Sequence, residues 1–183
     1  MASRYLPRRS ILLPVLLALA LSAPDAAAQR EFAGIPWGTP PGEATERIRA
    51  AGYELRGTGE HGDLTFGRAD GAELLAVFDP RGLVFVEARW LEPAERLPAR
   101  YERMADSMRA VLGAPGTSNR DAYERSMTWL GAGSGGVDLV YSRGEGGPPP
   151  LLSLTHWGPG YEEEVTRREG SAPRVQVPAD PPP

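Results

Sequence analysis

The side chains able to do chemistry are few and fall in five places. Ser134 stands between glycines in Gly133-Ser134-Gly135, His61 and His156 are the two histidines, Glu162, Glu163 and Glu164 run together, and Glu87 and Arg89 stand two apart in an apolar segment. A serine nucleophile needs a base beside it and donors for an oxyanion, and the Gly-x-Ser-x-Gly elbow is missing. Gly133-Ser134-Gly135 therefore reads as a hairpin loop. Neither histidine has a second His, Cys or acidic residue at helical metal spacing. His61-Gly62-Asp63 offers two ligands from a turn but reads as a solvated loop. All twenty basic residues are arginine, so a Gly-x-x-x-x-Gly-Lys phosphate loop is excluded. Paired carboxylates run acid–base chemistry when a fold holds them about 5 to 10 Å apart. Glu162 to Glu164 read instead as a solvated charge run, and Glu87 with Arg89 as an ion pair on one face of a strand. No catalytic residue, metal ligand or cofactor is expected.

The beginning of the chain speaks to location. Arg4, Arg8 and Arg9 precede an apolar run from Ile11 to Leu21, and small residues follow up to Ala26-Ala27-Ala28. That is the order of a secretory signal, with cleavage expected after Ala28. The run is interrupted by Pro14 and falls short of the roughly 20 residues that span a bilayer, so no stable membrane anchor is expected after cleavage. The absence of cysteine removes both lipidation at the new N-terminus and a disulfide framework. Loss of residues 1–28 leaves 17 arginines against 23 carboxylates, a net charge of −6, which repels phosphate backbones and argues against a nucleic-acid partner. A periplasmic or secreted protein is the expectation.

The rest of the chain must position whatever function exists. Thr39 reads as an N-cap followed by Pro40 at the first helical position and Gly52 as the stop, with Ala44, Ile48 and Ala51 on one face. A second helix is expected from about Pro98 to Leu112, with Tyr101, Met104 and Met108 on one face. Alternation predicts strands near 64–68, 74–79, 83–91, 123–130, 137–143 and 151–157. The glycine-rich stretch Gly131 to Gly136 is expected to be an exposed loop. The fold class expected is α+β: an antiparallel sheet of about six strands with two helices on one face, a helix-plus-three-strand unit occurring in the halves 35–91 and 98–157. Residues 29–160 form the single domain, and 161–183 read as a disordered charged and Pro-rich tail. The expected core holds Ile48, Val84, Val86, Met104, Met108, Met127, Trp129, Leu139 and Leu154.

The segment Phe32-Ala33-Gly34-Ile35-Pro36-Trp37-Gly38-Thr39, followed by an amphipathic helix, resembles the opening of a group of uncharacterised bacterial exported proteins with a Trp-Gly-Thr or Trp-Gly-Met-Ser motif before their first helix. The tandem helix-and-meander layout is similar to that of the β-lactamase inhibitor proteins and, per half, to the small lipoprotein of the outer-membrane barrel-assembly machinery. The chain departs from that lipoprotein in lacking cysteine, and from both in showing one evident helix per half where they have two. The resemblance implies a protein-binding or structural role and carries over no catalytic residue.

Parity along the strands points to a surface. Ser126, Thr128, Asp138, Ser142, Ser153, Thr155 and Trp157 alternate with the apolar set and so face away from the helices. Arg89, Thr128, Ser153, Thr155 and Trp157 are the expected binding residues, with Trp157 as the anchor of an open sheet face. Trp37, Trp90 and Trp129 are expected in the core. Two alternatives stay open: the chain after Gly158 folds back over Trp157, or the protein is a small envelope hydrolase with an unrecognised site. Another envelope protein is the partner expected on the first reading.

Overall fold

The computed structural model describes residues 31–131, 135–144 and 149–171. The expected signal, residues 1–28, lies outside them. A two-stranded hairpin comes first, β1 (Glu31–Phe32) and β2 (Ile35–Pro36), turned at Ala33 and Gly34, both with positive φ. Helix α1 (Pro41–Ala50) follows, then β3 (Glu54–Thr58), β4 (Leu64–Gly67), β5 (Ala72–Asp79) and β6 (Gly82–Trp90). Helix α2 (Leu97–Leu112) opens the second half, followed by β7 (Thr117–Arg120), β8 (Glu124–Leu130), β9 (Gly136–Ser142) and β10 (Leu151–Trp157). Helix α3 (Tyr161–Ser171) ends the described chain.

The protein is α+β, and β3 to β10 form one eight-stranded sheet in the order β3-β4-β5-β6-β10-β9-β8-β7, antiparallel throughout. Each half is a helix followed by a four-stranded meander, and the halves meet where their last strands pair. This corrects the expected strand and helix numbers: β1, β2, β3, β7 and α3 were not expected, and the unit is a helix plus four strands.

Helices α1 and α2 pack on one face. Ala44 and Ile48 of α1 and Leu97, Tyr101 and Ala105 of α2 are buried there, above Phe66, Leu74, Val86, Ala88, Leu139, Leu152 and Leu154. Spacings of three and four residues put each helical set on one stripe. Met104 and Met108 pack against this core partly buried, and Ile48, Val86, Met127, Trp129, Leu139 and Leu154 lie within it, as expected. Val84 does not. A bulge opposite Val77 and Phe78 inserts one residue into β6, and Val84 joins Val77 and Phe85 in a separate cluster. An extra residue in a strand shifts the alternation from that point on, which simple parity counting cannot register.

The Trp37-Gly38-Thr39 segment is a structural tie. Gly38 N–H donates to the Leu83 carbonyl and Leu83 N–H to the Thr39 carbonyl, at 2.8 and 2.9 Å, stitching the entry segment to the start of β6. The approach is so close that a side chain at Gly82, whose φ is +129°, would collide with the backbone of Gly38. Thr39 is not the helix cap. Its hydroxyl donates to the Pro36 carbonyl at 2.7 Å, and Pro40 occupies the N-cap position.

Residues 161–171 correct the expected tail: they form α3, on the side of the sheet opposite α1 and α2. Tyr161 stacks on Phe85 with ring centroids 4.5 Å apart. Glu164, 2% exposed, accepts hydrogen bonds from Arg167 and Arg168, so the three glutamates are not simply a solvated run. Arg168 also forks onto both carboxylate oxygens of Asp63, at 2.7 and 2.8 Å. Residues 172–183 lie outside the described chain.

Candidate sheet-face site

Antiparallel partners share a face, so the register of the strands defines the surface opposite α1 and α2. One row across it reads Thr117, Thr128, Asp138, Thr155, Glu87, Leu75, Thr65. The next reads Asn119, Ser126, Val140, Ser153, Arg89, Glu73. At one end Leu130, Gly136, Trp157, Phe85 and Val77 form a third. All five expected binding residues therefore stand on this face, in adjoining rows.

Their surroundings differ. Arg89 is exposed and donates to Glu87 at 2.7 Å, a pairing expected from the spacing of the two residues. Ser153, 6% exposed, sits between Arg89 and Val140 in the register. Thr128 and Thr155 are half-buried and flank Asp138 from either side. Trp157 is half-buried and packs with Leu75 and Tyr161 against the Val77, Val84 and Phe85 cluster. Gly136 is buried within β9 beneath the Trp157 indole, so the glycine-rich stretch ends in the sheet and not in an exposed loop.

Asp138 is the residue of this face that the choice of binding residues missed. Its Oδ1 is buried without a hydrogen-bond partner, a state that costs free energy in a carboxylate. Its signal in the sequence was one acidic residue between Val137 and Leu139, whose side chains face the core.

The other chemical candidates disperse. Ser134 lies outside the described residues. His156 points to the helix side of β10, its ring 5.2 Å from that of Phe32, and burial pulls its imidazole down to about 4. His61 is exposed, and the Asp63 carboxylate beside it is committed to Arg168. Among the described residues no group of three or more His, Cys, Asp or Glu side chains is placed to hold a metal ion. A hollow of about 100 Å³ beside the β7–β8 turn is lined by Asp121, Ala122, Tyr123, Glu124, Arg125, Tyr141 and Arg143 and contains no Ser, Cys or His. No described helix is long and apolar enough to cross a membrane. Comparison with known proteins finds no matching family model, no matching curated protein and no matching solved structure.

Proposed function

We propose that this is an exported, non-enzymatic binding or envelope-structural protein that engages another envelope protein through the sheet face of β7 to β10. One observation carries the reading. The helix side of the sheet is closed by α1 and α2 and one end of the other side by α3, while Ser126, Thr128, Asp138, Val140 and Thr155 on the rows of β7 to β10 keep part of their surface exposed. Short hydroxyls on a rigid sheet offer hydrogen bonds at low entropic cost, and Arg89 and Trp157 border them. Export is supported by the charged, apolar and small-residue order of residues 1–28.

Thr128→Tyr and Thr155→Tyr test the face without altering its charge, since tyrosine suits a strand surface. The wild-type chain is expected to retrieve a defined partner from envelope extract, and both variants are expected to fold and to lose it. Retention of that partner by both folded variants overturns the reading. Intact mass of the exported protein is expected to give a chain starting at Gln29.

A further inference from the structure

The two faces of the second half differ in charge. On the helix side, β7 and β8 carry Arg120 and Arg125, and both meet Glu102 of α2, at 3.8 and 2.8 Å. On the opposite side the register places Thr117 and Asn119 from β7, Glu124, Ser126, Thr128 and Leu130 from β8, and Gly136, Asp138, Val140 and Ser142 from β9. From β10 come Leu151, Ser153, Thr155 and Trp157. Among the described residues, β7 to β10 place two carboxylates and no cation on this side, and Arg89 of β6 stands beside Ser153 at its border.

The first half treats its charges on the same side differently. There Glu87 is matched by Arg89 at 2.7 Å and Glu54 by Arg56 at 3.4 Å. Asp138 and Glu124 have no such counterpart: no ion pair reaches either of them among the described residues. Asp138 is only half-buried, so its carboxylate remains approachable while one of its oxygens is desolvated without a donor. A carboxylate held that way, between Thr128 and Thr155, gains more from an incoming cation than one fully in water, because part of its hydration is already lost.

We infer that the partner of this face is a protein surface presenting a lysine or arginine side chain, which seats on Asp138 between Thr128 and Thr155 with Glu124 as a second, outlying attraction. The inference rests on the binding reading of the face and names the chemistry of what binds. Leu130, 68% exposed, and Trp157 give the same surface an apolar margin, which suits a polypeptide better than a bare metal or polyamine. A second copy of this chain does not fit. Face-to-face packing about a two-fold axis would set one acidic surface against its equal, and like charges across an interface oppose association.

The test is an amide-shift titration of the folded chain with two synthetic peptides, acetyl-Lys-Ala-Lys-Ala-Lys-amide and acetyl-Glu-Ala-Glu-Ala-Glu-amide. The lysine peptide is expected to shift residues of β8, β9 and β10 around Thr128, Asp138 and Thr155, and the glutamate peptide to leave them in place. Asp138→Asn keeps the shape and is expected to weaken the lysine peptide about threefold or more, the scale of one exposed ion pair. Raising salt to about 0.5 M is expected to remove most of the shifts. Shifts confined to Glu162 and Glu163 of α3, no shifts at all, or equal binding by Asp138→Asn overturns the inference. So does a dimer of the free chain that Thr128→Tyr dissolves, which assigns the face to a second copy. If Thr128→Tyr abolishes capture of the envelope partner while the lysine peptide leaves these strands untouched, the face reading survives and the cationic partner falls.

Discussion

The Trp157 indole fills the space above Gly136 on the neighbouring strand, so that a methyl group at position 136 would overlap the ring. Trp157 is therefore a packing residue of this face as well as part of its surface, tied to Phe85 on its other side by the register of β6 and β10. Gly136→Ala is expected to displace the indole, cost about 1 to 3 kcal/mol and shift tryptophan emission to the red. Trp157→Ala is expected to lower stability by a similar amount, about 1 to 3 kcal/mol, since it deletes a half-buried aromatic. Denaturant melts of the two variants check this, and an unchanged midpoint for both would place Trp157 in solvent.

Arg168 is the clasp of α3. It bonds Glu164 of its own helix and Asp63 across 105 residues of sequence, and it reaches the Phe78 carbonyl at 3.4 Å. Its replacement by alanine leaves Asp63 without that partner and Glu164 with Arg167 alone. The expected loss is about 1 to 3 kcal/mol, felt mainly by the helix. Hydrogen exchange should quicken across 161–171 while the amides of β5, β6 and β10 keep their protection. Uniform loss of protection throughout the sheet would show that α3 does not open separately.

Acid should loosen the same helix. The Arg167 guanidinium, aided by Arg168 and opposed by burial, holds the Glu164 carboxyl down at about 2, below its ordinary 4.5. A depressed carboxylate contributes stability that is complete above its unfolded value and is lost as pH falls through the folded one. The anchoring of α3 is thus expected to weaken between about pH 4.5 and 2, and Glu164→Gln to flatten that dependence. Exchange rates in α3 followed through this window provide the measurement.

His156 acts at a higher pH. Burial holds its imidazole neutral, at about 4 against an ordinary 6.5, beside Phe32. Its contribution is fully present above about pH 6.5 and is lost as pH falls toward 4, because the unfolded chain takes up the proton first. The thermal midpoint of the wild type is expected to drop through this range. His156→Gln should show a lower midpoint at neutral pH and a shallower fall, and parallel curves for the two proteins would refute the assignment.

The parts of the fold legible in the sequence are those whose burial writes a period. Alternation along β5, β8, β9 and β10 and the three-to-four spacing in α1 and α2 follow from one face meeting the core. The missed elements have no such face. β3 and β7 are the edges of the sheet, every residue in both is exposed, and Thr117-Ser118-Asn119-Arg120 contains no apolar side chain. Polar edges resist pairing with other chains, and the composition that protects them also conceals them. Helix α3 is held by charges and one aromatic stack, so its sequence reads as solvated although Glu164 is buried. Of the candidate surface, parity found the hydroxyls and Trp157. The unmatched charge on Asp138 emerged only when the register showed which arginines lie on the other side.

The strand at the middle of the sheet is also the last one made. β6 waits unpaired on one side until β10 arrives from the end of the chain, and the two meanders have no seam before then. Contacts between residues so far apart in sequence close slowly, because the loop entropy is spent before the ladder returns it. A chain cut before residue 151 would expose the edge of β6, with its apolar neighbours, and is set to aggregate. Closure of the eight-stranded sheet therefore waits for β10, the last strand of the chain.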